Sequence, residues 1–90
     1  MQFAWDINKN LSNIRKHGID FQDVTEIFRR PFIVMEDKRF DYGENRWIAI
    51  GNMHEIVVVV VYTIRTDVLR IISARKASQK ERDVFYEKVK

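Results

Sequence analysis

The 90-residue sequence contains no cysteine, only two histidines and a single proline. Without cysteine the chain can form neither a disulfide bond nor a thiolate metal site, which fits a reducing compartment. His17 and His54 lie far apart in the sequence, so a pair of histidines binding one metal is not expected either. The sequence therefore predicts a protein that uses no metal and no other cofactor.

Long apolar segments are also missing. The first residues, MQFAWDINKN, lack the continuous apolar run of a signal peptide, and no later run approaches the ~20 apolar residues that a membrane helix needs. We therefore expect a cytoplasmic protein that has no contact with a membrane. Hydrophobic residues make up 46% of the chain and charged residues 32%, which predicts that residues 1–90 form one compact domain.

The net charge of +3 is unevenly distributed along the chain. Residues 6–17 carry a net charge of +2 and residues 75–90 a net charge of +3, whereas the segments between them are neutral or weakly acidic. A fold that brought the two basic ends together would form a surface suited to nucleic acid. Solvated basic helices would give the same distribution, so charge alone leaves both interpretations open.

The first predicted helix spans residues 7–17, with Asp6 as its N-cap and a glycine after its last residue. Its apolar stripe is formed by Ile7, Leu11 and Ile14, a spacing typical of the face that a helix turns to the core. The opposite face carries three polar residues: Lys9, Asn13 and Lys16.

Two further helices and four strands complete the predicted fold. One helix follows the N-cap Asp20, continues through Phe28 until Arg29-Arg30-Pro31 stops it, and forms a hairpin with the first. The last helix follows Ser78, which begins a capping box. The run IVVVVVY at residues 56–62 shows no alternation, which indicates a central strand that is buried on both faces. We expect a single α+β domain with two amino-terminal helices, a curved, mainly antiparallel four-stranded sheet and a carboxy-terminal helix. The strands are predicted at residues 32–35, 46–51, 55–63 and 68–75, with a short additional strand at residues 3–5.

The segment LRIISARKASQKER, residues 69–82, joins the last predicted strand to the last helix. Arg75 ends the strand directly before a helix amino terminus, whose free N–H groups attract anions, so it is a candidate for binding a phosphate. Pairing of Arg75 with Glu81 or another carboxylate is the structural alternative, and the sequence leaves both open. Alternation along the strand predicts that Arg70 and Arg75 lie on opposite faces unless a bulge intervenes.

Lys16 and His17 end the first predicted helix. An imidazole is suited to proton transfer near neutral pH, and the adjacent ammonium group would help to hold a phosphodiester. Both side chains could instead complement the helix dipole. The next candidates, Arg46 and Trp47, stand at the start of a strand. The sequence leaves the role of Trp47 open, because its ring could stack on a base or pack into the core.

Four motifs stand in one order along the chain. They are WDxxKxxxNxxKHGIxF at residues 5–21, an ExRW segment at residues 44–47, a YTxR segment at residues 62–65 and RIISARxAxxxER at residues 70–82. In this order they resemble the BrnT family of bacterial type II toxins, and the likeness runs from Phe3 to about Tyr86. The segment 35–45 has no strong family signature, so the resemblance implies no role for its residues.

The resemblance implies a fold similar to that of RelE-type toxins and a ribonuclease that degrades RNA and so blocks translation. It also implies a BrnA antitoxin as partner, which contacts operator DNA through a ribbon-helix-helix part. The complex is expected to be a heterotetramer with two copies of each chain that represses its own operon. Two alternatives stay open: a non-catalytic co-repressor that binds the antitoxin, and a small RNA-binding module without cleavage activity.

Without metal ligands, RNA cleavage would use the 2′-hydroxyl of the substrate as nucleophile. This route needs a proton acceptor, a proton donor and cations around the transition state. His17 is the expected acid or base, and Arg46 and Arg75 are expected to stabilise the developing negative charge. The residues expected to bind the RNA backbone are Lys9, Lys16, Arg65 and Arg70.

Overall fold

A computed structural model describes residues 1–89 of the chain. Within that range it contains five strands, three α-helices and a short 3₁₀ helix. In chain order these are β1 (Gln2–Trp5), α1 (Ile7–His17), α2 (Phe21–Val24), the 3₁₀ helix (Thr25–Arg29), β2 (Ile33–Glu36), β3 (Trp47–Met53), β4 (Ile56–Arg65), β5 (Val68–Lys76) and α3 (Gln79–Lys88).

The five strands form one mixed sheet in the order β1-β5-β4-β3-β2. β2 to β5 pair as antiparallel neighbours, as the sequence predicts. The prediction of a four-stranded sheet with a separate short strand is wrong at one edge, where β1 pairs in parallel with β5. Helices and three strands separate β1 from β5 in the chain, so no tight turn dictates the direction of their pairing.

The second helix is shorter than predicted, because α2 ends at Val24 and the chain continues as a 3₁₀ helix. Val24 and Thr25 are adjacent β-branched residues, which are stiff and disfavour a regular α-helix. The Thr25 hydroxyl also donates a hydrogen bond of 2.9 Å to the Gln22 carbonyl, a local bond that competes with helix continuation. The predicted helical hairpin is therefore one regular helix followed by two short turns.

The core has a cluster on each face of the sheet. One face packs Val58, Val60 and Tyr62 of β4 against the segment that contains α2 and the 3₁₀ helix. On the other face, Val57 and Val59 of β4 pack against α3, which contributes the buried side chain of Phe85. This confirms the prediction that the IVVVVVY strand is central and buried on both sides.

Helix α1 turns a polar stripe, not its apolar stripe, to the sheet. Ile7 is 70% exposed and Leu11 48% exposed, whereas Asn10 and Asn13 are buried, so the predicted inward face is wrong. The cause is the edge of β5 beyond its pairing with β1, where the backbone N–H of Ala74 needs an acceptor. Asn13 Oδ1 accepts that bond at 3.1 Å, and Asn13 Nδ2 donates to the Ile19 carbonyl at 2.9 Å.

Gly51 allows the 3₁₀ helix to approach β3 closely. A Cβ atom at this position would lie 2.8 Å from the Cβ of Ile27, nearer than such atoms come in proteins. Among residues 1–89, no helix is both long enough and apolar enough to cross a membrane.

Candidate active site

A bulge in β5 changes which arginines share a face of the sheet. Val61 pairs with Ser73 and the next residue of β4, Tyr62, pairs with Ile71, so Ile72 has no residue opposite it. Arg75 lies opposite Val59 and Arg70 opposite Thr63. Because Val59, Val61 and Thr63 alternate along β4, the residues opposite them share one face. Arg70 and Arg75 therefore lie on the same face, and the prediction of opposite faces is wrong.

That face carries a groove of about 480 Å³ beside α3, which we call the α3 groove. Its floor is apolar and consists of side chains from β3 and β4: Ile48, Ile50, Val59 and Val61. Its polar rim is mostly basic, with Glu81 as the only acidic member among the described residues. The basic side chains of the rim are His17, Arg39, Arg75 and Lys80.

His17 reaches the α3 groove because of how α1 is anchored. Asn10, Asn13 and His17 lie three and four residues apart, so they follow one stripe of the helix. Asn10 Oδ1 accepts a 2.8 Å hydrogen bond from the Phe21 backbone, and Asn13 fixes the next turn to β5. His17 is therefore held one turn beyond the buried asparagines, at the part of β5 that lines the groove.

Arg75 forms an ion pair with Glu81, which is the structural alternative considered from the sequence. Both guanidinium nitrogens Nη1 and Nη2 donate bonds of 2.8 Å to the Glu81 carboxylate. The same carboxylate accepts from the Ser78 backbone N–H at 2.8 Å in a complete capping box. The hydrogen bonds from Arg75 are the main reason why the pKa of Glu81 falls to about 2. Arg75 nevertheless remains 46% exposed and lines the groove.

Arg46 and Arg65 form a separate cluster around Glu44. Arg46 Nε lies 3.3 Å from a Glu44 oxygen, and its guanidinium carbon lies 4.0 Å from the centre of the Tyr42 ring. Arg65 also binds Glu44, and these bonds lower the pKa of that carboxyl group, with Arg65 the main cause. Within residues 1–89, neither arginine belongs to the groove lining. Trp47 packs against the core, as its structural interpretation predicts.

The remaining predicted RNA-binding residues lie on α1 and β5. Lys16 is exposed beside His17 in the last turn of α1, and Lys9 is exposed in the first. Arg70 lies near Asp6, whose pKa is lowered chiefly by the hydrogen bond from the Lys9 backbone, with a smaller contribution from the charge of Arg70. None of these three lines the α3 groove within the described part of the chain.

Two groove residues, Arg39 and Lys80, are missing from the set predicted from the sequence. Arg39 lies in the loop between β2 and β3, where charged residues follow no helical or strand period. Its nearness to Arg75 depends on tertiary contacts, so the sequence offers no pattern that would have revealed it. No group of three or more potential metal ligands is found among the described residues.

Residues 5–81 match the family described as "Ribonuclease toxin, BrnT, of type II toxin-antitoxin system". The fold is similar to the 1.1 Å crystal structure of the Brucella abortus ribonuclease toxin BrnT, with a TM-score of 0.72 and 35% sequence identity. That alignment covers 88% of this chain and 99% of the Brucella chain. No curated protein matches the chain by sequence. The fold and both matches define the class, and the chain belongs to the BrnT family of ribonuclease toxins.

Proposed function

We propose that this chain is a metal-independent endoribonuclease that cleaves RNA in the α3 groove and thereby blocks translation. The observation that carries the proposal is the presence of His17 and Arg75 on the rim of one basic groove. Membership of a family of ribonuclease toxins supports the class of reaction. The scarcity of histidine and the absence of cysteine in the sequence support a route without a metal.

The proposed reaction uses the RNA 2′-hydroxyl as nucleophile. Its oxygen bonds to phosphorus while the bond to the 5′-oxygen breaks, which leaves a 2′,3′-cyclic phosphate. His17 either accepts the proton of the 2′-hydroxyl while water protonates the leaving 5′-oxygen, or donates a proton to that oxygen while water accepts the one from the 2′-hydroxyl. Arg75 stabilises the negative charge that develops on the phosphate oxygens.

The other predicted residues keep supporting roles in this proposal. Arg46 is a second cation for the developing charge, and that role requires RNA to extend from the groove towards the cluster around Glu44. Backbone contacts of this kind supply affinity without reading the base sequence. The residues proposed to bind the RNA backbone are Lys9, Lys16, Arg65 and Arg70.

We further propose that the partner is a BrnA-type antitoxin with a ribbon-helix-helix part. The family implies an antitoxin as partner. The sequence resemblance supports an antitoxin of the BrnA type and a heterotetramer with two copies of each chain. It also supports repression of the shared operon by this complex and a relation of the toxin to RelE-type toxins. Co-expression with the product of the neighbouring reading frame, followed by mass measurement of the purified complex, tests this assembly. A complex with another stoichiometry would contradict it.

The catalytic proposal is tested with purified variants and a fluorogenic RNA substrate. His17→Asn is expected to lower the cleavage rate by about 100-fold or more, because it removes the proton-transfer group. His54→Asn is the matched control, since His54 lies in the turn between β3 and β4 and Asn tolerates its positive φ of 57°.

Arg75→Ala is expected to lower the rate of RNA cleavage about 100-fold, because it removes a cation that stabilises the developing charge. The control is Arg29→Ala, which removes an exposed arginine from the 3₁₀ helix.

Circular dichroism and thermal unfolding show whether each variant is folded. Equal cleavage by wild type and His17→Asn would overturn the role of His17. If the folded wild type cleaves no RNA but binds it, or binds only the antitoxin, the chain is an RNA-binding module or a co-repressor instead.

A further inference from the structure

The loop between β2 and β3 contains a buried carboxylate, Asp37, whose side chain has no exposed surface. Its backbone N–H donates to the Arg46 carbonyl at 2.8 Å, which fixes the start of the loop next to β3. Arg39 Nε donates a hydrogen bond of 2.8 Å to Asp37 Oδ1, and Arg39 Nη2 donates one of 2.9 Å to Asp37 Oδ2. The Tyr42 hydroxyl donates a further bond of 3.0 Å to Oδ2. These bonds, above all those from Arg39, hold the pKa of Asp37 well below its usual value.

Asp37 therefore holds one guanidinium group in a fixed orientation. An exposed ion pair between flexible side chains stabilises a protein little, but here the acceptor is buried and Tyr42 anchors it from a second direction. The bidentate pair uses Nε and Nη2 of Arg39, which leaves Nη1 outside it. The Arg39 side chain remains 63% exposed, so its outer N–H groups can reach a ligand.

Arg39 and Arg75 face the same groove. Both line it, and the positive charge of Arg39 opposes the rise in the pKa of Arg75 that Glu81 causes. Two guanidinium groups that repel each other across a groove are stabilised when an anion binds between or beside them. Each is held by its own carboxylate, so neither has to be ordered when the anion arrives.

We propose that Arg39 forms a second phosphate-binding subsite of the α3 groove and that Asp37 is its positioning residue. The ligand is a backbone phosphate of the RNA, adjacent to the phosphate that Arg75 contacts. This inference rests on the proposal that RNA occupies the groove. The subsite lies in the segment for which the sequence motifs imply no role.

The test measures binding of a short 2′-O-methyl RNA oligonucleotide, which lacks the 2′-hydroxyl nucleophile and is not cleaved by the proposed route. Arg39→Ala is expected to weaken its binding about ten-fold, the effect of losing a charge-assisted hydrogen bond. The slope of log affinity against log salt concentration should fall by about 0.7, the value for one phosphate contact on a single strand. Lys38→Ala removes the same charge from the same loop at a residue outside the groove lining, and it is expected to change binding less than two-fold.

Two further variants separate positioning from folding. Arg39→Lys keeps the charge but cannot form the bidentate pair with Asp37, so its binding should lie between wild type and Arg39→Ala. Asp37→Asn should raise KM for a cleavable RNA while kcat stays near the wild-type value, because the chemical groups are untouched. A purely structural role of Asp37 would lower the melting temperature and kcat together, which would overturn its assignment.

The failure of this inference is distinguishable from the failure of the proposed function. If Arg39→Ala binds RNA as tightly as Lys38→Ala while Arg75→Ala binds weakly, the subsite is wrong and the groove proposal stands. If neither Arg39→Ala nor Arg75→Ala weakens binding, RNA does not occupy the groove and both proposals are overturned.

Discussion

Arg75 combines a structural and a proposed functional role in one side chain. It binds Glu81 through two nitrogens and thereby helps to fix the start of α3, and it also lines the groove. The two roles are compatible because the carboxylate orients the guanidinium without burying it. A cation that is fixed before substrate arrives stabilises a transition state more effectively than one that must be ordered during the reaction.

Alanine substitutions at Asn13 and Leu11 are expected to affect stability in opposite measure to the hydrophobicity of the two side chains. Asn13→Ala should lower the free energy of unfolding by about 1–3 kcal/mol, because it leaves the buried Ala74 N–H without an acceptor. Leu11→Ala should cost no more than about 0.5 kcal/mol, because that side chain is half exposed on the outer face of α1. Urea unfolding of both variants measures the difference.

If α1 packed against the sheet through its apolar stripe, Leu11→Ala would destabilise the protein more than Asn13→Ala. If Leu11→Ala proved the more destabilising of the two, the described orientation of α1 would be wrong. Because Asn13 also anchors the turn that carries His17, Asn13→Ala is expected to cleave RNA more slowly than the wild type.

At the scale of elements, the close contact between β3 and the 3₁₀ helix depends on Gly51. Gly51→Ala is expected to destabilise the protein by about 1–3 kcal/mol, since the new methyl group overlaps Ile27. The neighbouring change Asn52→Ala is the control, because Asn52 points to the other face and its buried Oδ1 has no hydrogen-bond partner among residues 1–89. Thermal unfolding that shows equal costs for the two variants would contradict the close approach.

The junction between β5 and α3 predicts a dependence of stability on pH. The pKa of Glu81 falls from an ordinary value of 4.5 to about 2 in the folded protein. The unfolded chain therefore takes up a proton at higher pH than the folded one, so the stabilisation is complete above pH 4.5 and is lost as pH falls towards 2. The melting temperatures of wild type and Glu81→Gln should converge over this interval.

Other carboxyl groups with lowered pKa values add to the acid sensitivity of both proteins, which is why the difference between them is the relevant quantity. A constant difference from neutral pH down to pH 2 would show that the pair of Glu81 with Arg75 contributes nothing to stability.

At the scale of the whole molecule, the order of elements and the family could be predicted from the sequence. Caps, glycines and the uniform IVVVVVY run are local signals, and they set α1, β4 and α3 in nearly their observed positions. The parallel pairing of β1 could not be predicted, because it is a contact between distant segments. Neither could the bulge at Ile72, since RIISAR reads equally well as an uninterrupted strand.

The candidate site was only partly predictable for the same reason. His17 and Arg75 stand in recognisable motifs at the ends of elements, and the fold brings both to the α3 groove. Arg39 depends on a buried carboxylate whose burial no local pattern predicts. Asn13 faces inward because the edge of β5 requires an acceptor, and Asn10 because the backbone N–H at the start of α2 requires one. The polarity of the helix alone does not reveal either requirement.

The most direct test of the central claim is inducible expression in a bacterial host, with growth and RNA integrity followed after induction. Wild-type protein is expected to arrest growth and degrade RNA, whereas His17→Asn at the same soluble level is not. Co-expression of the antitoxin should restore growth of the wild type. Normal growth and intact RNA in cells that contain soluble wild-type protein would contradict the claim that this chain is an active ribonuclease toxin.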